Sequence, residues 1–160
     1  MNGLRGLNYK MENLLMAGSA IYFDYTVFLN DSFELFCENY AELLKQSDVK
    51  INIPQPVIDE MKAVPMSRMD DYALCYHGLA RIDEIVNDGI AVITEDPDGV
   101  EYSEDYFYKL CENSAENIIV VTSDIQLVTE LADLCRKLNK PDGFLKVVEI
   151  EENGMIHRLW

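Results

Sequence analysis

Short apolar runs alternate with longer segments of helical periodicity from about residue 19 onward, and this alternation constrains the fold more than any other feature of the sequence. The short runs have the length of buried strands, whereas the longer segments carry apolar residues three and four positions apart. Strands that alternate with helices in this way are typical of βαβ units built around a parallel sheet. The pattern therefore predicts an α/β fold.

Five strands can be recognised. They are predicted at residues 20–23, 51–53, 90–93, 118–121 and 145–150. The first four are compact and mostly apolar, as strands covered on both faces should be. The fifth alternates more, so we expect it at an edge of the sheet, in a hairpin with residues 155–159.

The domain organisation follows from the length of the chain and from its first residues. A chain of 160 residues is most simply a single domain, and we place that domain at residues 19–160. Residues 1–18 carry three glycines and no convincing helical or strand period, so we predict an N-terminal arm of uncertain structure.

The charge of the chain limits its partners. There are 13 Lys and Arg against 29 Asp and Glu, which gives a net charge of −16. A field of this sign repels nucleic acid and anionic membranes, so an anionic substrate needs a local cation. The longest uncharged stretch, residues 13–23, is far too short to cross a bilayer. Four cysteines without metal-binding spacing indicate buried thiols in a reducing compartment, and we expect a cytoplasmic protein.

Acidic residues follow two of the predicted strands. Asp24 comes directly after the first strand, and Asp124 follows the fourth through Thr122 and Ser123. Ligands of open α/β sheets gather at the carboxyl ends of strands, so these two carboxylates are candidates for one site. A purely structural interpretation is also open, because Asp is a preferred N-cap residue and a common turn residue.

Two further acids occupy the opening turns of predicted helices. Glu60 follows a strand that ends in a proline-rich segment, and Asp105 follows Ser103, a good N-cap residue. A solvent-facing glutamate and a favourable charge near a helix N-terminus would account for each residue alone. If all four acids lie together, however, their mutual repulsion requires a cation. Oxygen ligands without His or Cys favour Mg²⁺ or Mn²⁺, and such a site suits hydrolysis of a phosphodiester bond.

Four sequence blocks, residues 22–29, 53–61, 104–105 and 119–124, resemble the PIN domain, a nuclease family. The resemblance covers about residues 19–150. It implies a three-layer α/β/α fold with a five-stranded, mainly parallel sheet of order 3-2-1-4-5. It also implies an Mg²⁺ or Mn²⁺ cofactor and cleavage of single-stranded RNA.

The resemblance also assigns residues. The acidic quartet of the family, which binds metal and performs catalysis, is matched by Asp24, Glu60, Asp105 and Asp124, and the orienting polar positions by Thr26 and Ser123. The chain departs from the family pattern at three places. Tyr25 stands where Thr or Ser is usual, Glu104 competes with Asp105 for the third acid, and Gln126 replaces a further acid.

A metal-dependent ribonuclease acting on single-stranded RNA is therefore the first functional hypothesis. The charge and the altered positions favour an alternative, a PIN-like interaction module with weak or no cleavage. The resemblance also implies a further alternative, the toxin component of a toxin–antitoxin pair. The partners that we consider are single-stranded RNA, a second copy of the chain in a homodimer, and an antitoxin or another basic protein. A phosphorylated receiver-type domain ranks last, because the chain lacks an adjacent acidic pair after the first strand and a suitably placed lysine.

Overall fold

Six short strands alternate with helices in the part of the chain that the computed structural model describes, which is Met11, Leu15 and residues 18–160. The strands are β1 (Ala20–Phe23), β2 (Ile51–Pro54), β3 (Ala91–Thr94), β4 (Ile118–Val121), β5 (Leu145–Ile150) and β6 (Ile156–Arg158). The helices are a 3-10 helix (Tyr25–Leu29), α1 (Ser32–Gln46), α2 (Gln55–Ala63), α3 (Met69–Asn87), α4 (Ser103–Asn113) and α5 (Ile125–Lys137). The predicted arm, residues 1–18, lies outside the described residues except at Met11, Leu15 and Gly18.

All six strands form one mixed sheet in the order β3-β2-β1-β4-β5-β6. The strands β1 to β5 are parallel to their neighbours, and β6 pairs antiparallel with β5. The expected α/β fold, with its mainly parallel sheet and its C-terminal hairpin, is therefore confirmed. The first five strands also follow the order 3-2-1-4-5. The edge strand on the C-terminal side of the sheet is β6, so β5 is not itself an edge strand.

Helices pack on both faces of the sheet. Consecutive side chains of a strand point to opposite faces. In β1, the ring of Tyr22 lies 6.3 Å from the ring of Tyr106 in α4, whereas the ring of Phe23 lies 5.8 Å from that of Phe36 in α1. The central strand is thus covered by α4 on one side and by α1 on the other. Met11 is also buried in the core.

The strand β3 corrects the expectation that it would be covered on both faces. It is an edge strand, and the side chains of Val92 and Ile93 are each 43 % exposed. It also begins one residue later than predicted. The reason is that the N–H of Ile90 donates to the carbonyl of Ile85 and the N–H of Gly89 to that of Val86, which closes the end of α3. Gly89 adopts the left-handed φ of 74° that this closure requires.

The C-terminal hairpin rests directly on α1. The turn between β5 and β6 contains Gly154, with a φ of 80°, and a Cβ atom at this position would lie 2.5 Å from the backbone of Leu35 and Phe36. Asn39 of α1 also donates a hydrogen bond to the carbonyl of Asn153 at 3.2 Å. Only glycine fits this close approach. Among the helices of the described residues, none combines the length and the apolarity needed to cross a membrane.

Candidate functional site

Asp24 is a buried carboxylate at the carboxyl end of β1, with only 2 % of its surface exposed. Its Oδ2 accepts hydrogen bonds from the hydroxyl groups of Thr122 at 2.8 Å and Thr26 at 2.9 Å. Burial raises the pKa of Asp24 above its ordinary value of 3.8, and the two hydroxyl groups lower it in part. Hydrogen bonds therefore offset the desolvation of this charge only in part.

Thr122 connects Asp24 to the second predicted acid. It is fully buried directly after β4, and its hydroxyl accepts the N–H of Asp124 at 3.0 Å while donating to Asp24. The sequence analysis did not assign this residue a role. The strand register could have identified it, because Phe23 pairs with Val121, which places the next residues, Asp24 and Thr122, side by side.

The hydroxyl of Thr26 lies one residue later in the chain than the Thr or Ser that the family pattern has at position 25, and the 3-10 helix brings it back to Asp24. Because the chain turns at Tyr25, the hydroxyl of Thr26 reaches back to Asp24 and also accepts the N–H of Ser123 at 2.9 Å. Thr26 therefore contacts both Asp24 and the backbone of Ser123, and its orienting role stays a prediction. Ser123 contributes its backbone N–H to this network, and its side chain is exposed.

Asp124 is the N-cap of α5. Its Oδ1 accepts the N–H groups of Gln126 at 3.0 Å and Leu127 at 3.2 Å, which is the usual role of Asp at this position. Both backbone donors bind the same oxygen, so Oδ2 retains the greater capacity to bind another group.

Glu60 lies in the second turn of α2 and caps a different helix. Its Oε2 accepts the hydroxyl of Ser103 at 2.8 Å and its Oε1 accepts the N–H of the same residue at 3.1 Å. The prediction that Ser103 is an N-cap is wrong, because Ser103 is the first residue of α4 and Tyr102 precedes it as N-cap. The hydroxyl of Ser103 donates to Glu60 instead of accepting from its own helix.

The third acidic position contains two carboxylates in the first turn of α4, Glu104 and Asp105. Glu104 is exposed and Asp105 is half-buried. Partial burial raises the pKa of Glu104, and the charges of four neighbouring acids raise it further, namely Asp105, Glu130, Glu60 and Asp124. Glu104 therefore lies in the electrostatic field of the predicted acids on α2 and α5, beside Asp105.

Glu130 is an additional acid that the sequence analysis did not single out. It lies on α5, where the amide of Gln126 donates to its Oε1 at 2.9 Å and the hydroxyl of Tyr108 donates to its Oε2. These bonds lower the pKa of Glu130, and that of Tyr108 is raised. The i, i+4 spacing from Gln126 on a helix face could have identified it.

Tyr25 lies among three of the predicted acids. Burial raises the pKa of its phenol, and the charges of Asp24, Glu60 and Asp124 raise it further. We use the name acidic edge for the six carboxylates at this end of the sheet, which are Asp24, Glu60, Glu104, Asp105, Asp124 and Glu130. None of them has a Lys, Arg or His nitrogen within 4.0 Å among the described residues. Their negative charge is therefore not neutralised by a basic side chain of that part of the chain.

The acids approach one another without forming a closed cage. In the described part of the chain, no three His, Cys, Asp or Glu side chains are arranged to hold a metal ion. A cleft of about 710 Å³ opens beside the acidic edge, and Tyr25 and Glu60 line it together with Met61, Arg68 and Tyr102. Three further acids, Asp59, Asp71 and Glu101, also line this cleft, so a partly acidic cavity with aromatic and apolar walls adjoins Glu60.

Comparison of the chain with known proteins does not identify a family for it. No model of a known protein family matches the chain, and no curated protein matches its sequence.

Proposed function

We propose that this chain is a metal-dependent ribonuclease that hydrolyses phosphodiester bonds of single-stranded RNA at the acidic edge. One observation carries the proposal. Carboxylates from four separate segments of the chain lie near enough to act electrostatically on Tyr25 or Glu104, and none of the described basic side chains pairs with them. Groups arranged in this way bind a cation or take up protons.

The chemistry of the donors fits Mg²⁺ or Mn²⁺, which prefer oxygen ligands. Asp124 uses one oxygen for internal hydrogen bonds, so its Oδ2 would bind the cation directly. Asp24 accepts the hydroxyl groups of Thr26 and Thr122 at Oδ2 and is also bonded by backbone N–H groups of Tyr25 and Thr26, so it would offer the cation its remaining capacity beside Asp124. Both oxygens of Glu60 already accept bonds from Ser103, so we assign it a contact through water. Either Glu104 or Asp105 would complete the set.

A bound cation of this kind orients and acidifies water and offsets the charge of the phosphate. The residues of the chain fix where that happens. Thr26 and Thr122 hold the carboxylate of Asp24, and the backbone turn at Ser123 fixes Asp124 beside it. The cleft beside Tyr25 and Tyr102 offers aromatic surface to an unpaired base. Assignment to the PIN family is part of this proposal, and it is supported by the resemblance of the motifs and by the strand order.

The test measures metal binding and cleavage together. We expect Mn²⁺ to bind in calorimetry, and a single-stranded RNA to be cleaved in Mn²⁺ but not in EDTA. Asp24→Asn and Asp124→Asn should each lower cleavage at least about 100-fold, since each removes a carboxylate ligand of the metal. Asp48→Asn, an exposed residue between α1 and β2, is the matched control and should retain activity. A wild-type protein that binds Mn²⁺ but cleaves no RNA would overturn the proposal.

The caps made by Glu60 and Asp124 favour a second candidate, an interaction module on the same fold. Each of these carboxylates has a complete structural role at a helix N-terminus without any metal. The net charge of −16 suits a basic partner, such as an antitoxin peptide, and a homodimer is a further possibility. This alternative predicts no Mn²⁺ uptake in calorimetry and tight binding of a basic protein.

A further inference from the structure

Three basic side chains come together at the far end of α5 from the acidic edge. Arg136 lies in the last turn of α5, Lys140 in the loop that follows it, and Arg158 at the end of β6. They line a cavity of about 290 Å³ together with Trp160, and Asp142 is the one acidic residue among those lining it. We use the name basic pocket for Arg136, Lys140, Arg158 and Trp160.

The backbone around the basic pocket is held by specific hydrogen bonds. Asn139 adopts a left-handed φ of 55°, which turns the chain back so that the N–H of Lys140 donates to the carbonyl of Cys135 at 3.0 Å. On β6, the Nε of Arg158 donates to the carbonyl of Trp160 at 2.8 Å. Local hydrogen bonds thus order the two stretches of the chain, residues 135–140 and 158–160, that bring the basic side chains to the cavity.

The basic side chains of this pocket mainly contact aromatic rings and main-chain carbonyl groups. The guanidinium of Arg136 lies 4.4 Å from the ring centroid of Trp160, and the ammonium of Lys140 lies 4.8 Å from that of Phe144. Arg136 also pairs with Asp133. Lys140 donates to the backbone carbonyl of Glu112 at 3.3 Å, and no Asp or Glu side chain of the described residues lies within 4.0 Å of Lys140 or Arg158. Each of these two cations donates one hydrogen bond to the main chain and keeps its other N–H donors for an external anion, in a chain with a net charge of −16.

We propose that the basic pocket binds a backbone phosphate of single-stranded RNA and holds the strand while another phosphate lies at the acidic edge. The second half of this statement rests on the proposed function, whereas the phosphate contact does not. The 13 residues of α5 separate the two sites by about 20 Å, which a short stretch of RNA spans.

The chemistry of the pocket favours a nucleic-acid phosphate over other anions. Arginine presents planar N–H donors that match phosphate oxygens, and lysine adds a compact positive charge. Arg136 covers one face of the Trp160 ring and the residue remains 38 % exposed, so an unpaired base beside the bound phosphate would stack on the other face. Because the net charge of the chain repels RNA, a local group of cations is what a contact of this kind requires.

The experiment measures RNA binding in EDTA, where metal-dependent cleavage cannot occur. The polarisation of a fluorescent single-stranded RNA is recorded against protein concentration at several salt concentrations. We compare the wild-type protein with the double variant Lys140→Gln/Arg158→Gln. The matched control is Lys45→Gln/Lys62→Gln, which removes the same charge from α1 and α2. Circular dichroism checks that all three proteins are folded.

We expect the Lys140→Gln/Arg158→Gln variant to bind at least tenfold more weakly than the wild-type and control proteins. The slope of log affinity against log salt should fall by about 1.4, since each phosphate contact to a single strand contributes about 0.7. An unchanged affinity and slope in this variant would overturn the assignment, as would a wild-type protein that binds no RNA. Displacement of the RNA by polyglutamate or inorganic phosphate at equal charge concentration would also overturn it, since the pocket would then bind any anion.

The pocket and the nuclease can fail separately. If RNA binding depends on Lys140 and Arg158 but the protein never cleaves RNA, the proposal of phosphate binding in the basic pocket is supported and the proposal of a nuclease is overturned. If the protein cleaves RNA but the double variant binds RNA with unchanged affinity, the nuclease is supported and phosphate binding in the basic pocket is overturned.

Discussion

The two ends of α5 carry opposite charges, and they differ in how those charges are stabilised. At the N-terminus, Asp124 accepts backbone N–H groups, and at the C-terminus Arg136 lies over an aromatic ring. The helix dipole favours an anion at the first position and a cation at the second. Local structure thus accounts for both residues. Asp24 is different, because burial raises its pKa and no basic side chain of the described residues pairs with it.

This contrast identifies Asp24 as the residue whose placement the fold alone does not explain. A buried carboxylate with a raised pKa, at the end of a central strand, is typical of a functional site. The charges of the basic pocket are exposed at Arg136 and Arg158 and half-buried at Lys140, and they cost the folded state little. Substitutions at the acidic edge should therefore change the free energy of unfolding, whereas those in the basic pocket should leave it nearly constant.

The largest effect is expected for Thr122→Val. This change keeps the shape of a fully buried side chain but removes the hydroxyl that joins Asp24 to the N–H of Asp124. We expect the free energy of unfolding to fall by about 3 kcal/mol, as measured by urea denaturation. Thr129→Val, at an exposed position of α5, makes the same substitution and should change it by less than about 0.5 kcal/mol. Equal effects at the two positions would remove the contrast.

The next effect is that of Mn²⁺ on the wild-type protein. A ligand of the folded state at 100 times its dissociation constant raises the free energy of unfolding by about 2.7 kcal/mol. We expect a thermal shift of this origin in the wild-type protein and none in Asp24→Asn. A shift that persists in the variant would place the cation elsewhere.

A smaller effect is expected for Asp24→Asn in the absence of metal, with the opposite sign to Thr122→Val. Because burial raises the pKa of Asp24, the fold favours the protonated acid. The stability that this provides is present below the ordinary pKa of 3.8 and is lost as pH rises through the raised value. The variant should therefore exceed the wild-type protein in stability at pH 7.

The pH dependence provides the check on that prediction. Urea denaturation in EDTA at a series of pH values should show the advantage of Asp24→Asn shrinking as the pH falls toward 4. An advantage that is independent of pH would mean that the carboxylate charge is not its cause.

The smallest effect is expected in the basic pocket. Lys140→Gln/Arg158→Gln removes two charges that have no carboxylate partner among the described residues. We expect the free energy of unfolding to change by less than about 0.5 kcal/mol, measured by urea denaturation. A loss above about 2 kcal/mol would show that these side chains support the hairpin.

The sequence predicts the sheet well because each strand is a short apolar run with clear ends. The observed limits of β1, β4 and β5 are the predicted ones. The later start of β3 follows from the end of α3, where Ile90 uses its N–H in the helix terminus. Periodicity does not describe how such a terminus closes. The exposure of β3 also escaped prediction, since apolar residues occur at edges as well as in interiors.

The candidate site was predictable only in its local contacts. The N-cap role of Asp124 follows from its position before a helix. The bond between Glu60 and Ser103 joins residues 43 apart in the chain, so no local pattern contains it. The basic pocket likewise combines residues that are far apart in the chain, because the pairing of β5 with β6 brings Arg158 to Arg136 and Lys140.

The close contact between Gly154 and α1 links the C-terminal hairpin to a helix more than a hundred residues earlier. A methyl group at position 154 would collide with the backbone of Leu35 and Phe36, and neither of these can move without disturbing α1. The hairpin would then have to lift away and carry Arg158 with it. The absence of a side chain at Gly154 therefore determines where Arg158 lies relative to Arg136 and Lys140.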